Sequence, residues 1–589
     1  METKTCQNCK IEFVIEKEDF NFYEKIKVPP PTWCPECRMI RRLAYREDRP
    51  LYKDKCANCL EDIISIYSKD NFFTVFCPTC WWGDSWDATN YGKNIDFSRP
   101  FLEQFKELLK VVPYQSTSQK GCTSCNYSNG NTRSKNCTLT FDGYESIDCY
   151  NCQVPIFTKN SVDSDGIMNA DYVYETLYSN GVYNTKFIYF SDECLDSSFL
   201  FNCLGCTSCF GCVNLRNKKY CILNKQYTKE KYKKEIQKWD LGSYQIIQKT
   251  QEKFLEFYYK MPRRFAFIKN STNVTGDDIQ NTKNCKICFS TLKGVENCKY
   301  LHLGGLLLKD SYDVTFAGDI SELLYEINGS EKSQRCFFSR GCNDSRDLEY
   351  SDKIYNCSNL FGCTKLRNKK YCILNKQYTK EQYEKLVPKI RQHMMNMPYI
   401  DKVGRVYKYG EFFPSEFSSW AYNETAAQKY FPLTKEEALE KDFKWYDEKE
   451  RDYKITIKAE NLPDHINDVS DSILNEVIEC EHKRTCNEQC TTAFRILPNE
   501  LGFYRQMNIA LPHLCPSCRY GQRIKKKNPP KLWHRKCMCN GVESEKGIYK
   551  NTIKHTHGDE PCQNEFETAI SPERREIVYC KKCYQAEFV

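Results

Sequence analysis

Cysteine pairs two residues apart carry the clearest chemistry in this sequence. Cys6-x2-Cys9 is followed by Cys34-x2-Cys37, and Cys56-x2-Cys59 by Cys77-x2-Cys80. Each CxxC turn presents two thiolates at the separation a tetrahedral ion needs. Two such turns close a four-thiolate site. The C-terminus repeats the pattern in register. Cys9 to Cys34 spans 25 residues, as does Cys490 to Cys515; Cys37 to Cys56 spans 19, as does Cys518 to Cys537; Cys59 to Cys77 spans 18, as does Cys562 to Cys580. Phe13 then falls on Phe494, Phe22-Tyr23 on Phe503-Tyr504, Arg38 on Arg519 and Arg42 on Arg523. Both ends are copies of one unit with two sites, so four structural Zn²⁺ ions are expected.

The C-terminal copy departs from the pattern inside its first knuckles. The third site has Cys490, Cys515 and Cys518, with either Cys480 or Cys486 as its remaining ligand. The fourth has Cys537, Cys562, Cys580 and Cys583, and an insertion carrying Cys539, His555 and His557. Those three could add or exchange a ligand. Because the register already supplies four ligands per site, the insertion reads as a solvated loop with spare thiols.

Closed four-thiolate sites leave no open coordination position, so they act as staples rather than Lewis acids. The eight His residues form no HExxH or HxE…CxxC arrangement, and no P-loop, GxSxG or GxGxxG followed by a helix is present. No catalytic residue is therefore proposed from sequence. The basic segments beside the knuckles offer a different lead. Residues 519–536 hold eight Lys/Arg and no acid, and residues 38–55 hold seven against three acids. Arg38, Arg41, Arg42, Arg519, Arg523, Lys525, Lys526 and Lys527 could grip phosphates, with Tyr52 or Trp533 near enough to stack a base.

These residues must be held by several domains, since 589 residues exceed one core. LRNKKYCILNKQYTKE occurs at 215–230 and again at 366–381, an offset of 151. Tyr174-Glu175 falls on Tyr325-Glu326, so the middle contains one domain twice. Short strand-like runs broken by Asn, Gly, Cys and Asp suit a parallel β-solenoid better than an antiparallel sandwich. Each copy ends in a helix opened by Thr228 or Thr379. The expected architecture is mainly β and multidomain. Tandem zinc modules occupy 1–90, a helical connector 91–120 and solenoid repeats 121–262 and 263–400. A linker follows at 401–479, and the second pair of zinc modules at 480–589. In the connector, Phe101, Phe105, Leu108 and Leu109 share a helix face that Ser98 or Asp96 could cap.

The chain has 37 Cys and no apolar stretch long enough to span a bilayer. METKTCQNCKIEF lacks an apolar h-region, so a cytoplasmic location is expected. A reducing compartment favours metal ligation over disulfides at the ends. In the middle, cysteines read as small buried apolar residues. Net charge of +8 is too mild to name a partner.

CQNCKIEFVIEKEDFNFYEKIKVPPPTWCPECR resembles the family of treble-clef zinc-binding domains: a CxxC, a Phe-rich hairpin, a Pro and then CPxCR. CTTAFRILPNELGFYRQMNIALPHLCPSCR resembles it too, apart from the altered first knuckle. Across nearly its full length the chain is similar to zinc-ribbon proteins of uncultured small-genome bacteria, through segments such as YGEFFPSEFSSWAYNETAAQKYFPLTKEEAL and EIVYCKKCYQAEFV. The resemblance implies bacterial origin and zinc-bearing ends. It brings no activity, and the acyl-CoA-transferase label on some relatives has no supporting feature here. The functional expectation is a zinc-stabilised scaffold that contacts RNA or DNA through its basic segments. Capture of a protein by the solenoid faces is the alternative, and an enzyme with an unrecognised site between the repeats the third.

Overall fold

A computed structural model describes residues 1–71, 73–291, 293–448 and 453–589. Two β-solenoids follow one another along the chain, and the cysteine modules at the two ends fold back onto them.

The first solenoid advances in coils of 12 residues. Lys159 pairs with Asp171 in parallel, and Asp171 pairs with Tyr183. Through much of it every third residue has a positive φ, as at Asp142, Glu145, Asp148, Asn151 and Val154. Left-handed backbone at each third position turns the chain a corner, so a coil has four sides of three residues. One residue per side points inward. The interior positions are small: Cys137, Cys149 and Ser161 stack in one column and are buried. Their polar hydrogens do not go unmet. Cys137 Sγ donates to Lys135 O at 3.4 Å, and Ser146 Oγ to Pro155 O at 2.8 Å. Asn and Asp at the corners tolerate left-handed backbone and form ladders from coil to coil. Asn136 donates to Asp148 at 3.1 Å and Asn202 to Asn214 at 2.9 Å.

This geometry explains Cys203-x2-Cys206-x2-Cys209-x2-Cys212. The spacing matches a metal knuckle, but here it is one inward residue per side, and all four are buried. The middle cysteines are packing residues, as their composition suggests.

The second solenoid is less regular. Thr272 pairs with Lys283, Tyr312 with Tyr325 and Gln334 with Arg346, steps of 11, 13 and 12 residues. Both solenoids close with an antiparallel turn, Cys221–Ile222 on Lys225–Gln226 and Lys370–Ile373 on Lys376–Gln377. A capped helix follows each. Thr228 accepts from Lys231 N ahead of Lys229–Ile236, and Thr379 from Gln382 N ahead of Lys380–Asn396.

The connector helix runs over Phe101–Val111, with Phe101, Phe105, Leu108 and Leu109 buried. Its cap differs from expectation. Pro100 holds the cap position with no side-chain bond, while Asp96 turns back onto Ser98 and Gln104 reaches Asp96. The 401–479 stretch is more than a spacer. Tyr407, Phe412, Phe413, Phe417 and Trp420 are buried, and Glu411 accepts from Thr32 N at 2.9 Å. Among the described residues, no helix is long and apolar enough to cross a membrane.

Candidate metal centres and the inter-solenoid cleft

Each cysteine module is a hairpin knuckle followed by a helix. In the first, Glu2–Thr5 pairs with Glu12–Ile15, and Lys10 at φ 64 lets its N–H return to Cys6 O. Cys34 caps the helix Pro35–Leu43. The second module repeats this with Leu60 at φ 65 and with Cys77 capping Pro78–Trp82. Four tetrads result: Cys6, Cys9, Cys34 and Cys37; Cys56, Cys59, Cys77 and Cys80; Cys480, Cys490, Cys515 and Cys518; Cys537, Cys562, Cys580 and Cys583. Within each, the sulfurs all lie within 4.8 Å of one another.

Metal–sulfur bonds of about 2.3 Å in a tetrahedron put sulfurs about 3.8 Å apart. Cys9 and Cys34 are at 3.7 Å, Cys59 and Cys77 at 3.9 Å, Cys480 and Cys518 at 3.8 Å, and Cys562 and Cys580 at 3.9 Å. Backbone N–H groups aim at the same sulfurs, as Cys34 N does at Cys6 Sγ and Cys515 N at Cys480 Sγ. Such bonds stabilise thiolates. No cysteine forms a disulfide among the described residues. The donor sets fit a tetrahedral ion such as Zn²⁺. Cys480 completes the third tetrad, and Cys486 sits beside it, 3.6 Å from Cys518 Sγ.

Most of the insertion in the last module is exposed, as expected of a loop, but its cysteine and histidines are not spare. Cys539 and His555 are buried, and both meet His557 and Cys583 with ligand atoms within 4.8 Å of one another.

The basic helices also differ from expectation. The arginines that looked ready for phosphates are buried against solenoid carboxylates. Arg38 meets Asp313 at 2.9 Å, Arg41 meets Glu326 at 2.8 Å, and Arg42 meets Asp313 and Glu326 at 3.0 Å each. At the other end, Arg519 meets Asp163 at 2.5 Å, and Arg523 meets Asp163 at 2.9 Å and Glu175 at 3.7 Å. Lys526 bonds Glu175 and Tyr189, and Lys527 bonds Asp165 at 2.6 Å. Of the eight basic residues singled out in the sequence, Lys525 alone is largely exposed, and it pairs with Glu488. Tyr52 bonds Glu424, and Trp533 opens the strand Trp533–Lys536, which pairs with Glu565–Thr568.

The docking is crosswise and duplicated. The N-terminal module sits on the second solenoid, and the C-terminal one on the first. Phe22 and Tyr23 pack on Tyr325, while Phe503 and Tyr504 pack on Tyr174. Register-matched residues of the modules therefore meet repeat-matched residues of the solenoids. Both halves of this signal stand in the sequence, but nothing there joins an Arg pair to an Asp–Glu pair more than 270 residues away in another domain. The second modules dock alongside: Trp81 stacks edge-on to Tyr355, and Tyr584 accepts from Asn202.

Between the solenoids lies a cleft of about 920 Å³. Asp165, Tyr178 and Asp192 line it from the first solenoid, and Asp278, Phe316 and Glu331 from the second. The whole lining holds seven carboxyl groups against four cationic side chains, so the acids outnumber the cations even with Asp278 protonated. Burial, then the neighbouring Asp277 carboxylate, push Asp278 up to about 7. Burial pulls Lys527 down to about 8, against the opposing Asp165 charge.

Asp278 makes a pH prediction. Unfolded, it loses its proton near pH 4; folded, near 7. Between those values the native state binds the extra proton, so stability falls as pH rises through that window. Asp278→Asn should raise stability at pH 8 by about 1–2 kcal/mol, the full shift being discounted because the carboxyl opens onto the cleft. It should change nothing at pH 4 or below. Melting curves at the two pH values test this, and an equal gain at both would refute the assignment.

No family model matches the sequence, and no curated protein does either. Among solved structures, a Desulfovibrio desulfuricans G20 chain described as an acetyltransferase is 10% identical. The match covers 49% of this chain and 77% of that one, with a TM-score of 0.10, a likeness too slight to bear on fold or function.

Proposed function

We propose that this protein is a zinc-stabilised binding scaffold whose working surface is the cleft between the solenoids. The tetrads hold Zn²⁺, and the metal folds the modules that latch the solenoids in place. The cleft's excess of carboxylates carries the reading: it favours a cationic or neutral ligand of small-molecule size. Glycines such as Gly130, Gly166 and Gly329 leave parts of its lining without side chains, which lets a ligand approach the backbone.

Contact with RNA or DNA through the basic helices is the competing reading. It is disfavoured because seven of the eight cationic groups it needs face solenoid carboxylates or are paired inside the fold. Capture of a protein by the solenoid faces is the other competing reading; a cleft of about 920 Å³ suits a smaller ligand better.

The test compares two probes at low salt, spermine and a labelled single-stranded oligonucleotide. Spermine is expected to bind the full chain, and the paired substitution Asp192→Asn with Asp278→Asn to abolish that binding. Oligonucleotide binding that weakens steeply with salt and is lost on Lys525→Ala would reverse the assignment.

A further inference from the structure

We propose that the last module holds two metal ions rather than one, with Cys583 as a thiolate bridge between them. The inference rests on the reading that the tetrads bind zinc, and extends it to a fifth site. One ion takes Cys537, Cys562, Cys580 and Cys583; the second takes Cys539, His555, His557 and the same Cys583.

The distances suit coordination. A tetrahedral ion with sulfur bonds near 2.3 Å and nitrogen bonds near 2.0 Å sets S···N edges of about 3.5 Å. Cys539 Sγ lies 3.2 Å from His555 Nδ1 and 3.5 Å from His557 Nε2, and Cys583 Sγ lies 3.4 Å from His557 Nε2. Each imidazole directs its other nitrogen to an acceptor. His555 Nε2 meets the Glu587 carboxylate at 3.0 Å, and His557 Nδ1 meets Glu560 O at 2.6 Å. That partner fixes the tautomer and leaves the sulfur-facing nitrogen with a lone pair for metal. Glu587 is itself held by Tyr549 and Thr552.

The insertion is built to deliver these groups. Cys562 N donates to Cys539 O at 2.8 Å, tying the end of the insertion to its start. Asn551 donates to Cys539 Sγ at 3.3 Å and accepts from Tyr579 at 2.8 Å. The N-terminal counterpart has Cys56-x2-Cys59, with no insertion and no histidine, so it holds a single ion. Charge favours the pair as well. A second dication with only one further thiolate reduces the excess negative charge of the four-thiolate site.

Native mass spectrometry of the full chain tests the count. Five zinc ions per chain are expected, falling to four in His555→Ala and in His557→Ala. Four in the wild type would overturn this inference while sparing the zinc reading, and none would overturn both. Five retained in both variants would place the extra ion elsewhere and refute the site. Should the variants fail to fold, ¹¹³Cd substitution of the wild type decides. A cadmium–cadmium coupling through the shared thiolate is expected, and four uncoupled signals alone would contradict the bridge.

Discussion

Arg523→Ala is expected to destabilise the full chain by about 3–5 kcal/mol, the usual effect of breaking a buried ion pair from one side. Arg523 and Asp163 are both fully buried, and the guanidinium also donates to Asn151 O at 2.9 Å. Removing the cation strands Asp163 beside Glu175, with Arg519 as its remaining strong partner. The penalty comes from the uncompensated carboxylate more than from lost attraction. Adding Asp163→Leu, which removes that charge, should therefore recover a large part of it. Arg42→Ala should have a similar effect at the other end, where Asp313 and Glu326 would be left facing Arg38 and Arg41. Because these pairs are buried, added salt should change the result little. Denaturant unfolding measures all of this, and a loss below about 0.5 kcal/mol for either variant would mean a solvated surface pair rather than a latch.

Removing metal should have the second large effect, and it should be local. The second and fourth modules have little apolar mass around their knuckles; the cluster on Cys56 adds only Phe76 and Trp81 as buried apolar residues, and that on Cys537 only Ile577, Tyr579 and Tyr584. Ligation in such modules supplies about 10–16 kcal/mol of folding free energy. The solenoids keep their own interior columns and parallel ladders, which need no metal. Cys56→Ser or Cys580→Ser should thus open one terminal module to protease within 1–90 or 480–589, leaving the solenoid resistant. Cys206→Ser, at the same CxxC spacing inside the first solenoid, should change packing by about 1 kcal/mol and metal content not at all. Equal protease sensitivity in all three would mean that the two kinds of CxxC do the same work.

That contrast shows what could be read from the chain beforehand and what could not. The tetrads were legible because ligation imposes a spacing that recurs at both ends, down to Arg38 over Arg519. The solenoid was legible from its repeats and its small residues. Its four-sided coil was also written in the sequence, in the three-residue period of Cys203, Cys206, Cys209 and Cys212, but that period coincides with a metal knuckle. The arginines misled because charge runs are local and their partners are distant: Arg42 finds Asp313 and Glu326 only once the chain has doubled back. The insertion misled for a related reason. A count of four ligands per ion treats each thiolate as used once, whereas Cys583 lies within reach of two donor sets.

Hydrogen–deuterium exchange on the full chain, before and after chelation, asks most directly whether metal-folded ends clamp the opposite solenoids. Chelation is expected to abolish protection across both terminal modules and to raise exchange around Asp163 and Glu175 and around Asp313 and Glu326, while coils remote from those faces stay protected. Unchanged exchange at either pair of carboxylates, with the modules themselves unfolded, would contradict the account.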